Sequence, residues 1–450
     1  MTTISLPELD ENRPLSLPTE VEQTLPNGLT VLAIRRPSVP LAEVRLRVPF
    51  AKAALAEAAV LAQTLFSGTS KRSTVQIAAE LQTVGGGLGA GIDPDRLQIS
   101  GNSLVSGLDR LLELLAEVLD DAVYPEGEVT TESERLADRI QVAQSQPAHL
   151  ARVALLKRIY PGHPYAVQTP SVEEVRAVTP QALRALHARR LHPAGATLVI
   201  VGDLDPEQAV QTAAKRLGGW NGSGESADLP PIPLLVPGPL LLVDRPGAVQ
   251  SSLRFALPAV GRTHPDHAAL QLANMIFGGY FSSRWVENIR EDKGYTYGPH
   301  SVIEHSVAGS TLTVSAEVAT EVTAPALVET LYELGRIAAL PVREDELEQA
   351  RQYALGTLQL GMSTQSGLAG LASTYAGFGL RLGFLAEHSA RLAAATLEDV
   401  HRVAATYLAP AVAAPVILGD AEKIQAAVSA IVPVTVASKP EPVKASEQSV

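Results

Sequence analysis

The chain is 450 residues long, 46% apolar and formally −12 in charge at pH 7. That is more material than one hydrophobic core usually organises, so two or more domains are expected. The acidic balance excludes sequence-independent nucleic-acid binding, which needs basic surface to release counterions, and no uncharged apolar run reaches the roughly 18 residues that a membrane span requires. The absence of cysteine removes disulfides and thiolate metal sites, leaves only His and carboxylates as metal ligands, and fits a reducing compartment, the cytoplasm.

Residues 1–20, MTTISLPELDENRPLSLPTE, carry acids and prolines where a signal peptide needs a basic start and an apolar core, and read as an N-terminal extension. A first domain is expected over 21–217. It opens with strands at Gly28–Arg35 and Glu43–Val48, the second with the alternation of a half-buried strand, followed by an Ala/Leu-rich helical segment from Ala51 to Leu65. Residues 218–239 are rich in Gly, Ser and Pro without sustained periodicity and read as a linker. A second domain is expected over 240–433, opening with strands at Leu240–Asp244 and Ser252–Leu257 and a helix from His267 to Phe277. The polar tail 434–450 is expected to be disordered.

The two domains repeat one another. Each closes with Leu-x-Pro, an apolar β-rich run, Gly-Asp and an Ala-rich amphipathic helix. Pro193 and Pro410 are 217 apart (410 − 193), and so are Gly202 and Gly419 (419 − 202). Each is expected to be a strand-and-helix sandwich, α+β in class.

Several segments then carry a resemblance: Leu25-Pro-Asn-Gly-Leu29, Leu65-Phe-Ser-Gly-Thr69, Tyr160-Pro-Gly-His-Pro-Tyr165, Val201-Gly-Asp-Leu204, Asp244-Arg-Pro-Gly247, Phe277-Gly-Gly-Tyr-Phe-Ser-Ser-Arg284 and Ile289-Arg-Glu-Asp-Lys-Gly-Tyr-Thr-Tyr297. In order and spacing, from about Leu25 to Val432, the chain resembles the M16 zinc peptidases, the family of pitrilysin, insulin-degrading enzyme and mitochondrial processing peptidase. The resemblance implies two M16-type, LuxS/metallohydrolase-like domains in a clam-shell arrangement.

Active members of that family bind zinc through an inverted His-x-x-Glu-His helix and a distant glutamate. Imidazoles four apart share one helical face, and the glutamate between them reaches the metal-bound water. In this chain the histidines fall on Ala59 and Gln63, the base on Ala62, and the remote glutamate near Arg139, so no metal ligand is expected, and Glu132 alone cannot assemble a site. The family also brings an Arg and a Tyr, seven residues apart, from the second domain to a zinc site. Arg290 and Tyr297 match that pair (297 − 290 = 7) and imply donors to a developing oxyanion.

The resemblance therefore implies a heterodimer with a zinc-bearing M16 homologue, zinc residing in the partner and peptide as substrate. The competing expectation is an inert structural or peptide-binding subunit, like the core proteins of respiratory complexes; the Arg/Tyr pair discriminates, since a structural chain has no need of it. Gly89, Ala90 and Gly91, in Val84–Gly91, occupy the segment that in active chains leads into a substrate-pairing edge strand. Glycines stand where the family shows Asn-Ala, and glycine weakens a strand, so a loose edge is expected, with a plain glycine turn as the alternative.

Other motifs carry less. His264-Pro-Asp-His267 reads as a helix start with Asp266 at the dipole, and His163 and the Gly278-Gly279 turn read as structural. No nucleophile elbow, P-loop or dinucleotide fingerprint is present.

Overall fold

The computed structural model describes residues 15–222, 224 and 227–437; the expectations for residues 1–14 and for 438–450 fall outside the described residues. Among the described residues twelve strands form two six-stranded sheets. The first contains β1 (Glu20–Thr24), β2 (Thr30–Arg35), β3 (Leu41–Pro49), β4 (Gly87–Ile92), β5 (Arg96–Leu104) and β6 (Thr197–Gly202), in the order β1-β2-β6-β3-β5-β4. The second contains β7 (Leu240–Asp244), β8 (Gln250–Pro258), β9 (His300–Ser306), β10 (Gly309–Ala319), β11 (Ala414–Gly419) and β12 (Val434–Ala437), in the order β12-β7-β11-β8-β10-β9. Among the described residues no helix is long and apolar enough to cross a membrane.

The repeat seen in sequence is a repeat of topology. Adding 217 to the bounds of β6 gives those of β11 (197 + 217 = 414; 202 + 217 = 419), and both strands lie in the interior of their sheets. Both are short apolar runs buried on two faces, as covered interior strands must be. The outermost strand breaks the symmetry. β1 precedes the repeat and runs antiparallel to β2, whereas β12 follows it and runs parallel to β7. The second sheet thus extends to Ala437, past the boundary expected at 433. Val434-Thr-Val-Ala is a short run of β-formers that ladders onto Leu240–Val243, which corrects the expectation that disorder begins at 434.

Each sheet is covered on one face by helices of its own half and on the other by helices of the opposite half. The helix Pro147–Ile159, from the first half, packs Leu150, Ala154 and Leu155 against Val243, Ala256 and Val416 of the second sheet. In return the helices Gln365–Ala376 and Gly383–Ala394 lay Leu368, Ala372 and Leu385 against Leu32, Ile34, Val199 and Val201 of the first. Each large apolar side chain so buried contributes about 1.5–3 kcal/mol, so the halves hold together through two hydrophobic layers. Leu155→Ala, at a side chain 1% exposed, is expected to cost about 2–5 kcal/mol. Chemical denaturation checks it, and both halves should unfold in one shifted transition; separate transitions would contradict the shared core.

Polar contacts line the same seam. Arg152 forks onto Glu304 of β9 at 2.8 and 3.1 Å, and Tyr160 Oη lies 2.9 Å from Thr311 Oγ1 of β10. The Tyr165 hydroxyl donates to the Asp95 carboxylate, which also accepts the Val307 amide at 3.0 Å. No helix or strand forms in the described part of 218–239, yet the segment is anchored: Leu229, Ile232 and Leu235 tuck into the seam, and the Ile232 amide donates to Ala308 O at 3.1 Å. His163 is structural here. Nδ1 accepts the Tyr165 amide and Nε2 donates to Pro230 O at 2.9 Å.

Candidate functional site

The helix Leu55–Thr64 buries Ala58, Val60 and Leu61 in the first core and packs against β4 and the helix Glu126–Ser145. Of the positions matching the zinc helix, Ala62 is buried, Ala59 half-buried and Gln63 exposed; Arg139 is exposed on the helix Glu126–Ser145. Glu132, two turns earlier on the same face, pairs with Arg135 at 2.6 Å. Two methyl groups, a carboxamide and a guanidinium do not fit a zinc ion, which takes imidazole, thiolate or carboxylate donors. Among the described residues no group of three or more His, Cys, Asp or Glu is arranged to hold a metal.

In the second half the structure brings Arg290 and Tyr297 together. Arg290 lies on the π-helical turn Glu287–Asp292, which buried Ile289 fixes from below and Asn288 ties to Glu329 and Glu333 at 2.9 and 3.0 Å. Gly294, in the left-handed region at φ +64°, ends that turn: its amide donates to Arg290 O at 3.1 Å and the Tyr295 amide to Ile289 O at 2.8 Å. This C-terminal cap reverses the chain and returns Tyr297 over Arg290, which explains the seven-residue spacing. Gly294→Ala is expected to cost about 1 kcal/mol, because only glycine takes this conformation without strain. Denaturant unfolding checks it, with an unchanged midpoint as the contrary result.

The Arg290 guanidinium stands 4.8 Å from the Tyr297 ring and 4.3 Å from the Phe281 ring, with Nε 3.1 Å from Glu291 Oε1. Two cation–π contacts of a half-buried guanidinium with exposed rings contribute roughly 0.5–1 kcal/mol each, enough to hold it in one orientation. Tyr297 is 85% and Phe281 57% exposed. In a chain only 4% aromatic, two exposed rings gather around one arginine here. The ring and ion-pair partners of Arg290 all belong to the second half. Sequence reasoning gave Phe281 no role, although it stands within a quoted motif; an aromatic beside Gly-Gly and Ser-Ser was the available signal. Gly278 is structural, since a Cβ there would meet Ser301 Oγ at 2.9 Å and Trp285 at 3.0 Å.

Gly89, Ala90 and Gly91 lie in β4, the outermost strand on the side of the helix Leu55–Thr64. They form neither a turn nor an unpaired segment: Gly89, Ala90 and Gly91 oppose Ser100, Ile99 and Gln98 of β5. Leu88, Ala90 and Ile92 pack on the first core and anchor the strand. Gly87, Gly89 and Gly91 point the other way, where a Cβ would meet nothing within 4 Å. The result is an edge with unpaired backbone groups on its outer side and bare backbone on one face.

Two structural features escaped the sequence reading. Arg45 of β3 and Arg254 of β8 occupy equivalent places. Arg45 Nη1 donates to Val44 O and Gly101 O at 2.9 and 3.0 Å, and Arg254 Nη1 to Leu253 O and Ala316 O at 2.8 and 3.4 Å. Each then pairs with a carboxylate, Glu43 or Glu317.

Two equivalent α+β sandwiches, clasped through each other's helices, define a tandem-domain protein. Residues 58–170 match the family model described as insulinase (peptidase family M16), and residues 177–353 match the one described as the peptidase M16 inactive domain. The chain belongs to the M16 peptidase family. Its fold is similar to the peptidase M16 inactive domain from Pseudomonas fluorescens, with a TM-score of 0.81 and 22% identity over 89% of this chain and 98% of that one. It is also similar to a protease from Helicobacter pylori, with a TM-score of 0.80 and 19% identity over 90% of this chain and 100% of that one. An uncharacterised zinc protease of Mycobacterium leprae is 25% identical over 393 residues, 85% of this chain and 87% of its own. Subunit 1 of the mitochondrial cytochrome b-c1 complex of Bos taurus is 24% identical over 218 residues, 48% of this chain and 45% of its own.

Proposed function

We propose that this chain is the non-metal subunit of a two-chain M16 peptidase and supplies Arg290 and Tyr297 to the zinc site of a sister chain. The observation that carries this reading is the Phe281–Arg290–Tyr297 stack, with both rings exposed, in a chain whose positions matching the family's zinc site hold Ala59, Ala62, Gln63 and Arg139. When water adds to a peptide carbonyl, charge develops on oxygen, and a phenol and a guanidinium already in place stabilise it without reorganising. Phe281 holds the guanidinium plane, leaving its edge for a substrate carbonyl or the oxyanion. The open edge of β4 at Gly89, Ala90 and Gly91 gives an extended peptide a second place to pair. A chain without cysteine suits the cytoplasm.

A second reading is favoured by the likeness to the cytochrome b-c1 subunit: an inert structural or peptide-binding role in an assembly. It leaves the exposed stack without a purpose. The test is co-expression with a zinc-bearing M16 homologue, followed by peptide hydrolysis by the complex and by the variants described in the Discussion. Cleavage by the isolated chain with zinc bound to it would overturn both readings.

A further inference from the structure

The second half holds a titratable cluster that the proposed site does not use. His267, from the helix His267–Asn274, His305, from β9, and His388, from the helix Gly383–Ala394, meet in the interior. Nε2 of His267 lies 3.2 Å from Nε2 of His305, and the His267 and His388 ring centroids are 4.9 Å apart. One proton serves the first contact, so one ring donates and the other accepts. His305 Nδ1 is 2.7 Å from Ser310 Oγ, and His388 Nε2 donates to Gln271 Oε1 at 2.8 Å. Nδ1 of His267 and Nδ1 of His388 are buried with no hydrogen-bond partner.

Among the described residues no carboxylate faces the cluster; the charges that bear on it are Arg262, stacked over Tyr375 and Phe378 at 5.1 and 5.3 Å, and Arg391. The carboxylates on the surrounding elements are committed elsewhere. Asp266 binds Arg402 at 2.7 Å and Tyr407 at 3.1 Å, and Glu304 binds Arg152 at 2.8 Å. Glu387 is 3.6 Å from Arg391, Glu348 pairs with Arg351, and Asp399 accepts from Thr396. Of the other histidines on these elements, His264 lies 3.9 Å from Asp266, His300 contacts Gly298 O, and His401 is half-buried. Two neighbouring arginines and no acid make the cluster a poor cation site.

Burial, and then the neighbouring positive charge, push the histidines down from their ordinary value of 6.5, to about 2 for His267, about 3 for His305 and about 4 for His388. Position gives this a consequence. His388 is on the helix whose Leu385 packs against the first sheet, so the cluster fastens that covering layer to the second half.

We infer that the His267–His305–His388 cluster is an acid-sensitive fastener: neutral and buried it holds the layer 365–394 in place, and protonation requires that layer to lift so that the rings reach solvent. The sign follows from linkage. The released state has ordinary histidines and binds more protons than the closed state, so closure is fully stable above about pH 6.5 and weakens as pH falls below it. With up to three protons taken up, the release equilibrium shifts by up to about 10³-fold per pH unit between pH 6.5 and 4.

Hydrogen exchange of the full-length chain at pH 7.5, 6.0 and 5.0, corrected for intrinsic rates, tests this. Residues 365–394, β2 and β6 should lose protection on acidification while β8 and β10 retain it. In a His305→Gln/His388→Gln chain the pH slope should drop by about two protons, and in His300→Gln, at an exposed ring, it should stay as in the parent. An unchanged slope in the double variant overturns the inference. If the double variant does not fold at pH 7.5, histidine NMR of the parent decides. Three rings that stay neutral while the layer is protected and titrate only as its protection is lost support the fastener, and a ring of the cluster titrating near 6.5 with the layer still protected overturns it.

Discussion

With a zinc-bearing sister chain bound, Tyr297→Phe is expected to lower kcat by about 10²–10³-fold, the cost of removing one preorganised oxyanion donor, while leaving assembly and stability unchanged. The hydroxyl belongs to a ring 85% exposed, so its loss breaks no core contact. Arg290→Ala is expected to lose a similar factor and to raise KM as well, because the guanidinium edge also holds a ground-state carbonyl. Arg290→Lys should recover little, since an ammonium keeps the charge but not the planar fork clasped by Phe281 and Tyr297. Steady-state hydrolysis of a fluorogenic peptide, with denaturation of each variant as control, measures these effects. Full activity in a complex carrying both Tyr297→Phe and Arg290→Ala would remove the active-site role from this chain.

The second large effect concerns the other half. Ala59 and Gln63 lie four apart on one helix, and Arg139 projects from the helix packed beside it. Ala59→His, Gln63→His and Arg139→Glu together supply two imidazoles and a carboxylate, and the triple variant is expected to bind about one zinc per chain. The parent chain, dialysed against the same zinc solution, should stay near zero. Elemental analysis and isothermal titration read the difference. A well-folded triple variant that takes up no metal would show that these positions do not share one site.

Much of the fold was legible because it is written locally. Alternation in Glu43–Val48 and Ser252–Leu257 and the repeated strand-Gly-Asp-helix units locate the strands without any long-range information, although both strands, expected half-buried, are buried on both faces. The crossing helices were not legible: that Leu155 covers Val416 and Leu368 covers Val199 depends on contacts across most of the chain, and an amphipathic helix does not say whose sheet it will cover. At the site, the Arg290–Tyr297 spacing was visible, but the reason for it, the cap at Gly294, lies in backbone geometry that residue types alone do not specify. The glycines of β4 misled in part, since propensity disfavours a strand there and the packing of Leu88 and Ile92 overrides it. His305 and His388 gave no signal, because their meeting with His267 spans three separate elements.

The exchange of helices between halves has a consequence for synthesis. The last residue of β6, Gly202, completes the first sheet, yet the helix that covers Val199 and Val201 begins at Gln365, 163 residues later (365 − 202). At about 5–20 residues per second that interval lasts roughly 8–30 s. Throughout it the nascent chain displays a finished sheet with one apolar face, including Leu32 and Ile34, open to solvent or to a chaperone.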